Sequence, residues 1–150
     1  MIDGMVESEL RLELENVLAV PQERVFAAFV DAEQLRRWWG PAGFSVSHLE
    51  FDAVEGASYR IAMQPPEGEI FHISGVFLAV EPPRRLVFTF VYEEPDPDDQ
   101  ETVVTARFEP GTDSGTQVML DHGPFKTAPR QQLHRDGWTQ TLERLDEFLA

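Results

Sequence analysis

The sequence contains no cysteine among its 150 residues, and this absence excludes several classes of function at once. Disulfide bonds, thiol catalysis and metal sites held by cysteine all require a residue that is missing. The chain also lacks any apolar run near the roughly 20 residues that a membrane-spanning helix needs. Its first ten residues, MIDGMVESEL, carry acids where a secretory signal would carry lysine or arginine. These absences predict a cytoplasmic protein that does not insert into a membrane.

Positive charge is scarce as well. The chain has 12 lysine and arginine residues against 27 aspartate and glutamate residues, which gives a formal net charge of −15. Nucleic acids and anionic lipid surfaces are bound by neutralising their phosphates with basic side chains, so neither partner is expected. The arginine pairs Arg36-Arg37 and Arg84-Arg85 fall on predicted helix and turn surfaces, and we interpret them as solvated. The acid excess is typical of a well-hydrated surface.

Motifs of several enzyme classes are also missing. The sequence has no GxSxG, GxxxxGK or GxGxxG pattern, so it does not indicate a serine hydrolase, a P-loop protein or a dinucleotide-binding enzyme. The four histidines are scattered, and none forms a close pair at the spacing of metal ligands: His48, His72, His122 and His134. The sequence therefore predicts neither a metal site nor a cofactor.

What is present suits one globular domain over residues 1–150. The composition is 42% hydrophobic and 26% charged, and a chain of this length buries roughly two thirds of its unfolded surface. Residues 1–8 show no hydrophobic period, so we expect a frayed tail there. The loop at 93–101, EEPDPDDQE, is rich in acids and proline and is expected to be exposed and mobile.

The segment 131–150 has the period of an amphipathic helix. Its apolar side carries Trp138, Leu142, Leu145 and Leu149, and its polar side carries Gln140, Glu143, Arg144 and Glu147. We expect this long helix to begin near Pro129, with Thr127 as its cap. Gly137 lies in mid-helix at a cost of about 1 kcal/mol against alanine, which indicates a close approach by either a strand or a ligand.

Most of the remaining chain alternates apolar and polar residues, the period of strands with one exposed face. The predicted strands are 10–20, 45–52, 57–64, 70–80, 86–92, 102–109 and 116–122. Strand 70–80 is apolar on both faces, so its inner face stays open. Two short helices are predicted between the first two strands, one from Pro21 and one after Asp31, ending at Gly40-Pro41.

These elements predict an α+β fold. Strands joined by short turns pair mainly antiparallel, and their accumulated twist curls the sheet. The long apolar stripe of the C-terminal helix is most simply hidden on the concave face. We therefore expect a curved six- to seven-stranded antiparallel sheet wrapped around the C-terminal helix.

One helix opposite a wide curved sheet leaves volume that side chains need not fill, so we expect a pocket for a small apolar molecule. Its predicted lining is Trp39, Phe44, Tyr59, Met63, Phe88, Phe90, Tyr92, Phe108, His122 and Trp138. Ordinary core packing is the alternative for each of them. His122 is the one histidine on a predicted inner face and hence the candidate general base, although a hydrogen-bonded histidine at a strand end is the other interpretation.

Five segments resemble, in order and spacing, the START-like (SRPBCC) superfamily. They are residues 31–44 (DAEQLRRWWGPAGF), 56–63 (GASYRIAM), 81–90 (EPPRRLVFTF), 115–125 (GTQVMLDHGPF) and the HRDGW and LERL pieces of 134–145. Within the superfamily, the chain resembles the family named for homology to the activator of heat-shock protein 90 ATPase.

The resemblance implies a helix-grip fold with a cavity between the sheet and the C-terminal helix. Superfamily members bind lipids, sterols and polyketides there, and some catalyse cyclisation or dehydration. Three hypotheses follow: non-catalytic binding of a small apolar ligand, co-chaperone action on a heat-shock protein 90-type ATPase, and an enzyme resembling polyketide cyclases or dehydratases that uses His122. No oligomeric state follows from the sequence.

Overall fold

The computed structural model describes residues 10–150, so the predicted tail at 1–8 lies outside the described residues. The elements are β1 (Leu10–Leu18), α1 (Gln22–Val30), α2 (Ala32–Trp38), β2 (Ser45–Glu50), β3 (Ser58–Gln64), β4 (Phe71–Glu81), β5 (Arg85–Tyr92), β6 (Thr102–Pro110), β7 (Thr116–Phe125) and α3 (Ala128–Leu149). A 3-10 turn lies at Thr112–Ser114. No helix within residues 10–150 is long and apolar enough to cross a membrane.

The seven strands form one antiparallel sheet in the order β1-β7-β6-β5-β4-β3-β2. The first two strands therefore lie at opposite edges, and α1 and α2 carry the chain from one edge to the other. Helix α1 contacts β6, and α2 contacts β2, so the two helices also cover the sheet on the way. The α+β helix-grip architecture expected from the sequence is confirmed.

The inner face of β4, which the sequence left open, carries Ile73 and Phe77. Both are buried, whereas Val76 and Leu78 on the other face are 38% and 51% exposed. A bulge between Phe77 and Ala79 shifts the register against β5, so that Val80 pairs with the buried Leu86 and packs against the core as well. Apolar residues on both faces of a strand do not reveal which face is covered, because sparse exposed valine and leucine are normal on protein surfaces.

Helix α3 packs its apolar stripe against β1 and β7. The four predicted residues of the stripe are all buried: Trp138, Leu142, Leu145 and Leu149. Thr127 caps the helix by accepting a hydrogen bond from the main-chain N–H of Arg130. The predicted apolar stripe, its burial against the sheet and the Thr127 cap are confirmed. The stripe decides which side of α3 faces the sheet.

The polar side of α3 makes hydrogen bonds to the segment between α2 and β2. Nη1 of Arg144 lies 2.8 to 3.3 Å from main-chain oxygens of the segment between α2 and β2: those of Trp39, Gly40, Pro41 and Phe44. The side-chain oxygen of Gln140 accepts a hydrogen bond from the main-chain N–H of Ala42. Helix periodicity shows polarity but not the partner, and here the partner is a loop whose carbonyl groups accept from Arg144.

The acidic loop at 93–101 is tied to the start of α3. Nη2 of Arg130 lies 2.6 Å from a carboxylate oxygen of Asp96, and its Nε lies 3.4 Å from one of Asp99. Nζ of Lys126 donates to the main-chain oxygen of Pro97 at 2.8 Å. The Asp99 side chain is only 8% exposed, so the prediction of exposure is wrong for this residue. Asp99 is covered because it forms an ion pair with Arg130, which is distant from the loop in sequence.

Candidate ligand cavity

A cavity of about 580 Å³ lies between α3 and the inner face of the sheet. Its apolar lining is Trp39, Phe44, Met63, Phe71, Ile73, Phe90, Tyr92 and Trp138, and polar side chains surround the opening. This volume is within the 300 to 1,000 Å³ that is usual for small-molecule pockets. The space exists because α3 contacts β1 and β7 at one end of the sheet, while the lining strands β3 to β5 lie at the other.

Gly137 borders this space on the helix side. A Cβ atom added there would meet only the Cγ atom of Pro41, at an ordinary contact distance of 3.6 Å. Among residues 10–150, no strand atom lies within 4 Å of that Cβ position, so the sheet described there does not make the close approach expected from the sequence. A side chain at position 137 would instead extend over the cavity.

Aromatic rings line the cavity in two groups. Trp39 and Trp138 meet edge to face with ring centroids 5.4 Å apart. Phe71 and Tyr92 are 6.0 Å apart, and Phe90 and Tyr92 meet edge to face at 5.3 Å. Such pairs present large apolar surfaces, so this wall is closely packed and apolar.

The structure brings together six of the ten residues predicted to line a pocket: Trp39, Phe44, Met63, Phe90, Tyr92 and Trp138. The other four lie outside this lining: Tyr59, Phe88, Phe108 and His122. Phe108 packs instead against Phe26 and Phe29 of α1. The alternation of a strand identifies its inner face, but part of that face is covered by α1 and α2 and only part borders the cavity.

Tyr59 lies in the core and links three strands. Its hydroxyl donates to the main-chain oxygen of Thr89 on β5 at 2.6 Å, which requires it to pass β4. Gly75 makes this possible, because a Cβ atom there would lie 2.0 Å from the same oxygen. The main-chain N–H of Val76 donates to the Thr89 hydroxyl at 2.8 Å. Burial raises the pKa of Tyr59, so it stays a neutral donor.

His122 has no exposed surface, and both of its ring nitrogens are occupied. The indole N–H of Trp138 donates to Nδ1 at 2.9 Å, and Nε2 lies 2.7 Å from the hydroxyl oxygen of Thr102. An indole can only donate, so Nδ1 is the unprotonated nitrogen and Nε2 carries the hydrogen. Burial lowers the pKa of His122 well below its usual value. Its one lone pair is therefore used inside the core, which favours the interpretation as a hydrogen-bonded structural histidine.

His134 is the histidine that borders the cavity, and sequence reasoning missed it. Its Nδ1 lies 2.9 Å from the main-chain oxygen of Arg130 and must donate, so Nε2 accepts the proton of the Tyr92 hydroxyl at 2.9 Å. The pKa of His134 is lowered mainly by burial, against a smaller raising effect of the bond to Arg130. A sequence signal existed, because His134 precedes Trp138 by four residues and shares its side of the helix.

Charged residues of the rim were also missed. They are Glu94, Asp96 and Asp99 from the β5–β6 loop and Arg130 and Asp136 from α3. Glu94 accepts a hydrogen bond from the main-chain N–H of His72 at 3.0 Å and lies 3.2 Å from its Nδ1, and these bonds lower the pKa of Glu94. The acidic composition of the loop was visible in the sequence, but its position over the cavity was not.

A group that could hold a metal ion lies beside this rim. Ligand atoms of His72, Glu93 and Glu94 are all within 4.8 Å of one another. Arg60 contacts both carboxylate oxygens of Glu93 at 2.9 to 3.1 Å and thereby lowers the pKa of Glu93. Since a guanidinium already balances this carboxylate, the group is an ion-pair network on the surface, and we assign no metal to it.

Comparisons with known proteins agree with the architecture. Residues 19–150 match the family described as Activator of Hsp90 ATPase homolog 1-like protein. A protein of Chromobacterium violaceum is 25% identical, with a TM-score of 0.84 over 93% of this chain and 96% of that one. The AHSA1 protein of Silicibacter pomeroyi is 30% identical, with a TM-score of 0.82 and the same coverage. A protein of Nitrosomonas europaea is 30% identical, with a TM-score of 0.78 over 93% of this chain and 94% of that one. No match was found among curated proteins.

Proposed function

The chain belongs to the family of Activator of Hsp90 ATPase homolog 1-like proteins, and from this premise we propose that its cavity binds a small, mostly apolar molecule without transforming it. The observation that carries the proposal is the cavity of about 580 Å³ with its aromatic lining. Concave, largely apolar sites of this size bury most of the surface of a small ligand. The occupied lone pair of His122 supports binding over acid–base chemistry at that residue.

The test uses decanol as a neutral apolar probe, with binding measured by titration calorimetry and by tryptophan fluorescence. Native mass spectrometry of freshly purified protein searches in parallel for a co-purifying apolar compound. We expect decanol to bind the wild-type chain with one-to-one stoichiometry. A wild-type chain that binds neither decanol nor a co-purifying compound would refute the proposal.

A helix substitution assigns the binding to this cavity. Gly137→Leu places a side chain over the cavity and should weaken decanol binding at least tenfold. Thr139→Leu is the matched control, because it adds the same side chain to an exposed position of the same helix that does not border the cavity. If Gly137→Leu folds and binds decanol as tightly as Thr139→Leu does, the binding site is elsewhere.

Co-chaperone action is the second candidate, and the family match is the observation that favours it. Such action would use the outer surface, so the cavity variant Gly137→Leu should retain it. The measurement is the ATPase rate of a purified heat-shock protein 90-type chaperone with and without this protein. An unchanged rate at saturating protein would dispose of this candidate.

A further inference from the structure

The rim of the cavity has an uneven charge. Glu94, Asp96, Asp99 and Asp136 supply four negative charges, and Arg130 supplies one positive charge. Arg130 contacts both Asp96 and Asp99, so its single charge is shared between two carboxylates. The five side chains together leave three negative charges at the opening, and solvent water screens them only in part.

Two polar atoms deeper in the wall are acceptors. The Tyr92 hydroxyl gives its proton to His134, whose other nitrogen is committed to a main-chain oxygen. The Thr141 hydroxyl gives its proton to the main-chain oxygen of Gly137 at 2.8 Å. Both oxygens therefore offer lone pairs to a ligand and have no proton left to donate.

The cavity lining has few hydrogen-bond donors. Those it has are either neutral or already paired with carboxylates. The side-chain oxygen of Gln140 is used by Ala42, which leaves its amide N–H₂ group at the exposed rim. The Trp39 ring is buried in the wall, and its hydrogen bonds within residues 10–150 are made by main-chain atoms, so its indole N–H is a second neutral donor. The guanidinium of Arg130 is held by its two carboxylates. An anionic head group would find no unpaired cation among the lining residues of the described part of the chain.

The aromatic wall adds to the same preference. Faces of tryptophan, tyrosine and phenylalanine carry negative charge density and attract cations, as in sites for quaternary ammonium ligands. Trp39, Phe71, Tyr92 and Trp138 supply such rings around the cavity. Ring faces, lone pairs and carboxylates thus all favour positive charge on the ligand.

We propose that the cavity selects an amphiphile with a cationic head, such as an alkyl amine, whose apolar body lies among the aromatic rings and whose ammonium group lies at the acidic rim. This inference rests on the proposed function, because it names the chemical class of the apolar ligand. It also predicts that fatty-acid-like anions are the poorest ligands.

Coulomb's law sets the size of the effect. A single charge about 8 Å away in water changes affinity roughly twofold, so three unbalanced charges give about a tenfold preference of a cation over a neutral molecule. An anion of the same length is disfavoured by a similar factor. Both factors should shrink in salt, because the Debye length falls to about 8 Å at physiological ionic strength.

The experiment compares decylammonium, decanol and decanoate at pH 7.5 with titration calorimetry at low and at high salt. The two ions are kept below their micelle concentrations and decanol below its solubility limit. We expect decylammonium to bind about tenfold more tightly than decanol and about a hundredfold more tightly than decanoate at low salt. Equal binding of all three would overturn the inference and leave the proposed function intact. Binding of none of them would overturn both.

Variants of the rim test whether its carboxylates cause the preference for decylammonium. Glu94→Gln and Asp136→Asn combined keep the hydrogen-bonding shapes and remove two charges, so decylammonium should bind about fivefold more weakly while decanol binding stays unchanged. Glu147→Gln is the control, since it removes an exposed carboxylate of α3 about 16 Å along the helix from Asp136. If the double variant keeps the preference of this control, the rim does not select the head group and the inference fails.

Discussion

The indole N–H of Trp138 donates a hydrogen bond of 2.9 Å to Nδ1 of His122. Because His122 in turn contacts the Thr102 hydroxyl, a helix and two strands share one buried polar link. A polar group buried among apolar residues is costly unless it is satisfied, so this link specifies how α3 sits on the sheet.

Substitution of Trp138 by phenylalanine should show how much its hydrogen bond to His122 contributes to the stability of the protein. Trp138→Phe removes the donor and leaves Nδ1 of His122 buried without a partner, which costs about 1 to 3 kcal/mol beyond the loss of packing. Trp39→Phe is the matched control, because it removes the same atoms from a ring whose residue hydrogen-bonds through its main chain. Urea unfolding measures both variants, and equal losses of stability would contradict the prediction.

Stability should fall as the pH is lowered from 7.5 to 5.5. Burial holds the pKa of His122 well below its usual 6.5, so over this range the unfolded chain binds a proton that the folded chain does not. The unfolded state then gains by protonation, and one such histidine costs about 1.4 kcal/mol of stability across the interval. The pKa of His134 is lowered too and adds to the effect in the same direction.

Urea unfolding at the two pH values tests this dependence. His122→Gln keeps an acceptor for Trp138 and a donor for Thr102 but does not titrate, so its loss of stability between pH 7.5 and 5.5 should be smaller than that of the wild type. A variant with the wild-type loss would show that His122 is not responsible.

Two glycine-to-alanine changes should have opposite signs. Gly75→Ala places a Cβ atom against the main-chain oxygen of Thr89 and should destabilise the protein by about 1 to 3 kcal/mol. Gly137→Ala meets only an ordinary contact in mid-helix and should stabilise it by up to about 1 kcal/mol. Thermal and urea unfolding give both values, and a stable Gly75→Ala protein would rule out the close approach between β4 and β5.

Removal of the Arg144 guanidinium should loosen one wall of the cavity. Arg144→Met keeps much of the apolar stem but removes the donor of the Gly40 carbonyl group, at a cost of about 1.5 to 3 kcal/mol. Arg36→Met serves as control. Within the described residues the Arg36 side chain makes one ion pair, an exposed contact of 3.6 Å with Glu33, so its loss should cost less than 0.5 kcal/mol. Similar values for the two variants, by urea unfolding, would show that the loop does not depend on Arg144.

The sequence predicts the elements and their arrangement because those follow from local periodicity. The stripe of α3 and the alternation of β5 each state which side is apolar, and a curved sheet with one long helix is the simplest way to cover both. The inner face of strand β4 could not be assigned from the sequence, because its two faces are similar in composition. Only the elements that cover one face distinguish it from the other.

The lining of the cavity was less predictable, because it depends on which part of the inner face is left uncovered. Alternation could not separate Phe90, which borders the cavity, from Phe88, which packs in the core on the same strand. His134 and the acidic rim were missed for a related reason. They reach the opening through contacts between segments that are far apart in sequence, such as Tyr92 with His134.

The walls of the cavity come from four stretches of chain, near residues 39–44, 63–73, 90–99 and 130–141, and no single stretch encloses it. The space therefore exists only while helix and sheet remain assembled, and an unfolded chain offers no equivalent binding place. By thermodynamic linkage, a ligand present at a hundred times its dissociation constant would add about 2.7 kcal/mol to the free energy of unfolding of the whole protein.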